Sequence, residues 1–184
     1  MVEVRPTAID GVVELRPKRF ADERGFFSEV WSRDALANAG MATDFVQDNH
    51  SLSRSAGVIR GLHYQLAPAE QHKLVRVTRG RVFDVAVDIR RSSSTFGRWV
   101  GVELSAQAWN QLLVPAGFAH GFLTLEPDTE VQYKVSSPYS PAHDRAILWN
   151  DPEIGIDWPL EGLTPVLSER DAAAPRLADA EMFG

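Results

Sequence analysis

Residues 82–89 read Val82-Phe83-Asp84-Val85-Ala86-Val87-Asp88-Ile89, and their period is two. Phe83, Val85, Val87 and Ile89 share one face of an extended chain and Asp84, Ala86 and Asp88 share the other, the alternation of a β-strand. Similar short runs rich in β-branched and aromatic residues recur at 26–31, 45–51, 58–65, 73–78, 99–104, 111–114, 118–125 and 131–136. Turn-forming residues separate them, at Arg79-Gly80, at 91–97, at Pro115-Ala116-Gly117 and at Glu126-Pro127-Asp128. The order predicts an all-β chain of many strands, folded as a meander.

Two helices are predicted outside these strands. Ser32 can cap a helix whose first turn holds Asp34 and which Gly40 stops; Ser168 opens a second turn that Pro175 ends. The architecture that fits is a double-sheet jelly roll of the cupin type (a double-stranded β-helix), with short helices in the N- and C-terminal segments. At 184 residues, with no internal repeat or linker, the chain 1–184 reads as one domain.

Composition narrows the function classes. Hydrophobic content of 44% and charged content of 24% are ordinary for a soluble globular protein, and no run is long enough to span a bilayer. The first residues carry charge early and lack an apolar segment, so secretion is not indicated and a cytoplasmic location is expected. The absence of cysteine agrees, and it removes both disulfides and thiolate metal sites. A net charge of −6 argues against a non-specific nucleic-acid binder, although clustered arginines could still meet an anionic small molecule.

Two histidine runs carry the chemistry: Arg60-Gly61-Leu62-His63-Tyr64-Gln65 and Pro115-Ala116-Gly117-Phe118-Ala119-His120-Gly121-Phe122. Metal-binding cupins present a His-x-His pair with a nearby Glu on one hairpin and a further His on another. Here His63 is followed by Tyr64 and Gln65, with the next histidine only at His72. His120 matches the second-hairpin position alone, so no metal is expected. By strict alternation Ile59, Gly61, His63 and Gln65 share a face, and Tyr133 shares one with Val131 and Val135, so imidazole and phenol are predicted to point inward together. Arg60, an odd number of positions from His63, should then point away; a bulge at Gly61 or a long reach by the arginine would reconcile them. Phe45, Gln47 and Asn49 share a face that reads either as polar ligand contacts or as a solvated exterior. The tryptophans read as packing.

With these residues in view, the chain resembles the dTDP-4-dehydrorhamnose 3,5-epimerase family nearly end to end. The resemblance is carried by FADERGFFSEVW (20–31), FVQDNHS (45–51), IRGLHYQ (59–65), KLVRV (73–77), VFDVAVDIR (82–90), PAGFAHGF (115–122), YKVSSPYSP (133–141), ILWNDP (147–152) and LSERDAAAP (167–175). It implies a double epimerisation, without cofactor, at C3 and C5 of dTDP-4-keto-6-deoxy-D-glucose in dTDP-L-rhamnose biosynthesis, because the C4 ketone acidifies the protons on both flanking carbons. It further implies that His63 is the base, Tyr133 the acid, Asp171 the carboxylate that orients His63, and Lys73 the cation beside the enolate oxygen. Arg24, Gln47, Asp48, Asn49, Arg60, His120, Tyr139, Asp144 and Arg170 would surround the nucleotide sugar, with Phe20 and Glu29 contributed across a homodimer interface. Asp144 stands where the family often has Glu and Arg170 where it often has Lys; both keep the sign of charge. An epimerase acting at C3 alone or C5 alone, or a non-catalytic nucleotide-sugar-binding cupin, are the competing readings.

Overall fold

The computed structural model describes residues 2–183. In chain order its strands are β1 (Val2–Pro6), β2 (Val13–Pro17), β3 (Phe20–Asp22), β4 (Gly25–Phe27), β5 (Gln47–Ser53), β6 (Ile59–Gln65), β7 (Lys73–Arg79), β8 (Arg81–Asp88), β9 (Trp99–Ser105), β10 (Gln111–Val114), β11 (Phe118–Thr124), β12 (Thr129–Val135) and β13 (Asp144–Ala146). Helix α1 (Arg33–Asn38) lies between β4 and β5, and α2 (Glu169–Ala172) follows the barrel. Both helices start where their serines predict: Ser32 Oγ accepts from Ala35 N–H and Ser168 Oγ from Asp171 N–H. Among the described residues no helix is long and apolar enough to cross a membrane.

The strands form a six-stranded sheet in the order β1-β2-β10-β7-β12-β5, a five-stranded sheet in the order β13-β6-β11-β8-β9, and the separate hairpin β3-β4. The predicted meander is therefore corrected. A meander keeps chain neighbours adjacent, yet only β1–β2, β3–β4 and β8–β9 pair that way. The turn at Gly80 carries the chain from β7 in one sheet to β8 in the other, and Pro115–Gly117 does the same between β10 and β11. Crossing between sheets lets each sheet bury one face against the other, the cupin-type jelly roll. The segment 26–31, read as one strand, contributes only β4.

Three apolar layers result. Between the sheets lie Val75, Val77, Val82, Ala86, Leu104, Leu112, Phe118, Phe122 and Val131. On the far side of the five-stranded sheet, Ile59, Leu62, Tyr64, Val85, Val87 and Ile89 pack beneath the C-terminal segment through Ile147, Ile154, Trp158 and Leu177. On the far side of the six-stranded sheet, Leu15, Leu74 and Leu113 are covered by Leu36 of α1. Both faces of β8 are thus buried, and its aspartate-bearing face turns inward: Asp84 and Asp88 are both fully inaccessible.

The alternation along β6 is broken at Gly61. His120 pairs with His63 but Phe122 pairs with Arg60, so β6 holds one residue more than β11 over that interval. Ile59, Leu62 and Tyr64 consequently join the outer cluster, which overturns the expectation that Ile59 shares a face with His63. Arg60 and His63 end on the same inward side, both lining one cavity. Glycine is required here: Gly61 has φ +132°, and a Cβ would sit 2.5 Å from Gly121 Cα. A Cβ on Gly121 would in turn sit 2.8 Å from the Arg60 carbonyl oxygen.

Candidate active site

A cavity of about 470 Å³ opens between the sheets, lined by Arg60 and His63 of β6, Lys73 of β7, His120 and Phe122 of β11, Tyr133 of β12, and Arg170 and Asp171 of α2. His63 and Tyr133 come from opposite sheets and face the same space. The cavity adjoins a second of about 330 Å³, lined by Gln47, Asn49, Tyr139, Asp144 and Arg170, which His63, Lys73 and Tyr133 also border. Among the described residues no group of three or more His, Asp or Glu side chains is arranged to hold a metal ion.

His63 Nε2 lies 2.6 Å from Asp171 Oδ1. Burial alone would raise the Asp171 carboxyl, but hydrogen bonds from His63, Ser168 and the Gly61 backbone outweigh it and hold the group below the usual carboxylate range. An ionised Asp171 accepts, so Nε2 carries the proton and Nδ1 is the lone-pair nitrogen of the neutral ring. Part-exposed, the ring has access to a ligand that Asp171, nearly inaccessible on α2, lacks.

Lys73 is nearly buried at the border of both cavities, and its ammonium donates to the His63 carbonyl at 3.1 Å. Burial pulls its pKa down to about 8, with Asp144 and Asp84 opposing the fall. The amine therefore remains a cation at neutral pH. Burial pushes the Tyr133 phenol upward, with Asp144 reinforcing the rise and Arg60 opposing it, so its proton is retained and available to donate.

The second cavity is organised by amides. Gln47 Nε2 donates to Asn49 Oδ1 at 2.8 Å while its Oε1 accepts from Tyr139 N–H at 3.1 Å. Gln47 and Asn49 therefore face the interior, whereas Phe45, expected to share their face, precedes β5 and packs on Trp31 at the far side of the six-stranded sheet. Gln65 accepts from Ser140 N–H and donates to Pro138 O, which pins the loop bearing Tyr139. Asp144 receives both the Tyr139 hydroxyl at 3.1 Å and the Arg170 guanidinium at 2.7 Å.

Four sequence-predicted residues lie elsewhere. Asp48 is corrected: alternation along β5 turns its carboxylate to the outer face of the six-stranded sheet, where Lys134 Nζ meets it at 2.6 Å. Phe20, Arg24 and Glu29 do not line either cavity of their own chain; Arg24 pairs with Asp22 across the tip of the β3–β4 hairpin. One residue escaped the sequence reading altogether. Asp84, on the inward face of β8, holds His120 Nε2 at 2.9 Å. Its signal was the alternation itself, which separates two faces without saying which is buried.

A cupin-type barrel whose cavity gathers an imidazole–carboxylate pair, a phenol and an enclosed amine has the make-up of an acid/base enzyme. Comparison with known proteins makes the class specific. The family model described as dTDP-4-dehydrorhamnose 3,5-epimerase matches residues 6–179, and the chain belongs to that family, a family of isomerases. A dTDP-4-dehydrorhamnose 3,5-epimerase of Salmonella typhimurium is 53% identical over 181 residues, covering 98% of each chain. The crystal structure of a dTDP-6-deoxy-D-glucose-3,5-epimerase from Legionella pneumophila in complex with dTDP-4-keto-L-rhamnose superposes with a TM-score of 0.93 at 46% identity, covering 97% of this chain and 94% of that one. A 3'-monoepimerase from Streptomyces bikiniensis in complex with dTDP-quinovose gives 0.88 at 36% identity, covering 94% and 87%.

Proposed function

We propose that this chain, acting as one domain in the cytoplasm, epimerises C3 and C5 of dTDP-4-keto-6-deoxy-D-glucose to give dTDP-4-keto-L-rhamnose. His63 Nδ1 removes the proton from a carbon beside the C4 ketone, leaving an enolate whose oxygen gains the charge. Lys73, enclosed and cationic, stabilises that charge. The Tyr133 hydroxyl returns a proton to the opposite face of the same carbon, which inverts it; once solvent has taken the proton from His63 and restored one to Tyr133, the step repeats at the other flanking carbon. The observation that carries this reading is the origin of imidazole and phenol in opposed sheets around one cavity, because inversion needs proton removal and delivery on opposite faces. Arg60 and Arg170 supply donors suited to a diphosphate, and His120, Gln47, Asn49, Tyr139 and Asp144 supply polar contacts beside them.

The working unit is a homodimer in which the β3–β4 hairpin completes the partner's site. In support, Phe20, Phe26 and Phe27 expose 53%, 52% and 70% of their surface, while Phe20, Arg24 and Glu29 stand apart from the two cavities of their own chain's candidate site.

Turnover in D₂O, followed by proton NMR, tests both claims when joined to sedimentation of the active species. Deuterium at C3 and C5, with activity persisting in EDTA and a mass near twice 20.4 kDa, is the expected result. Label at one carbon only makes the chain a C3-only or C5-only epimerase. Binding of dTDP without any exchange makes it a non-catalytic nucleotide-sugar binder, and an active single chain removes the dimer.

A further inference from the structure

The inward face of β8 carries two fully buried aspartates four residues apart, and they are treated differently. Asp88 is satisfied on both oxygens: Arg90 Nε and Nη2 donate at 2.9 and 2.7 Å, and the hydroxyls of Ser93 and Thr95 each at 2.6 Å. It anchors the loop that leaves the strand. Asp84 lies between Val82 and Ala86 of the apolar layer, with Oδ1 on His120 Nε2 and with Oδ2 buried and lacking a hydrogen-bond partner. A half-satisfied carboxylate in an apolar layer destabilises a fold, and an apolar side chain of similar volume would serve packing better.

What Asp84 does accomplish is to commit one nitrogen of His120. That imidazole is nearly enclosed, stands directly opposite His63 in the β6–β11 register, and lines the same cavity. With Nε2 held by Asp84, only Nδ1 remains to meet a ligand. We propose that Asp84 is a positioning residue, which fixes the tautomer and tilt of His120 through Nε2 so that Nδ1 is presented to the bound nucleotide sugar. The inference rests on the reading of this cavity as the nucleotide-sugar site. A strand of the barrel thereby does for His120 what α2 does for His63. Asp84 also lends negative charge to the neighbourhood of Lys73, opposing the loss of its proton.

The test combines ring ¹⁵N NMR with kinetics on Asp84→Asn, His120→Gln and the double variant. In the wild-type enzyme the resonances that vanish in His120→Gln should show the proton on Nε2, and Asp84→Asn should change them. Asp84→Asn should raise KM by about 10–100-fold, the factor carried by one lost hydrogen bond to a charged group, with kcat held within a few-fold. Adding it to His120→Gln should cost little more, because both act through one ring. A neutral His120 protonated on Nδ1, a wild-type KM in Asp84→Asn, or full additivity in the double variant would each overturn the assignment. If Asp84→Asn does not fold, the wild-type and His120→Gln spectra decide it. Should the wild-type enzyme itself show no exchange, the reading of the site fails, while the ring spectra, which need no substrate, still decide whether Asp84 sets His120.

Discussion

The space between the two sheets has two parts, built from the same strands to opposite ends. In one, Val77, Val82, Leu104, Leu112 and Val131 pack as an apolar layer with no exposure above 3%. In the other, reached along the same β7, β8 and β12, stand Lys73, Asp84 and Tyr133, joined by His63, His120 and Asp171. The first part gains free energy from burial; the second forgoes it by enclosing an amine and two carboxylates that water would hold better. Stability and chemistry are thus divided within one barrel, and substitutions in the two parts should fail in different ways.

The sharpest contrast comes from two truncations. His63→Ala should lower the rate of exchange at C3 and C5 by about 10²–10⁴, or roughly 3–5.5 kcal/mol of barrier, and leave the melting temperature little changed because the ring is part-exposed. Leu112→Ala should do the reverse. Removing a wholly buried leucine costs about 2–5 kcal/mol of stability, read by urea unfolding, with turnover per folded molecule preserved. Equal losses of both properties in either variant would break the division.

Lys73→Met should separate the two parts in a single substitution. The folded protein holds the Lys73 proton less tightly than the unfolded chain does, about 8 against 10.5. The unfolded state therefore binds more protons between those values, and stability rises as pH climbs from about 8 toward 10.5. Below that window the enclosed charge works against the fold by about 3 kcal/mol. Methionine removes the penalty, so the variant should melt higher at pH 7 and lose the rise, while its turnover collapses. In the wild-type enzyme, turnover should decline above about pH 8 as the enolate loses its cation.

How much of this was legible in the sequence follows from what alternation encodes. Period two marked β8 and its neighbours, and the serine caps marked both helices, because those signals are local. Partner strands were not marked: the jump between sheets at Gly80 depends on which faces bury each other, so the meander failed and β1, β2, β3 and β13 went unread. One extra residue at Gly61 was enough to send Ile59 and His63 to opposite faces. His63 and Asp171, 108 residues apart, were joined only through family resemblance. Asp84 stayed invisible because an aspartate alternating with valine and alanine reads as a solvated face until the second sheet covers it.

Asp171→Asn gives the smallest of these effects and bears on the polar part alone. In the proposed mechanism its carboxylate takes no proton from the substrate; it fixes the ring that does. Removing a group that orients an imidazole typically costs about 10–100-fold, so the variant should lose exchange rate by that factor, less than His63→Ala loses. The folded Asp171 carboxyl lies below its ordinary 3.8, so its stabilising contribution is complete above that value and disappears as pH falls through the lower folded one. Acid titration of the wild-type fold should show this loss, and Asp171→Asn should lack it. If the asparagine variant instead kept both its rate and its acid sensitivity, the hydrogen bond from His63 to α2 would be packing, and the polar part of the barrel would have its base oriented by β6 alone.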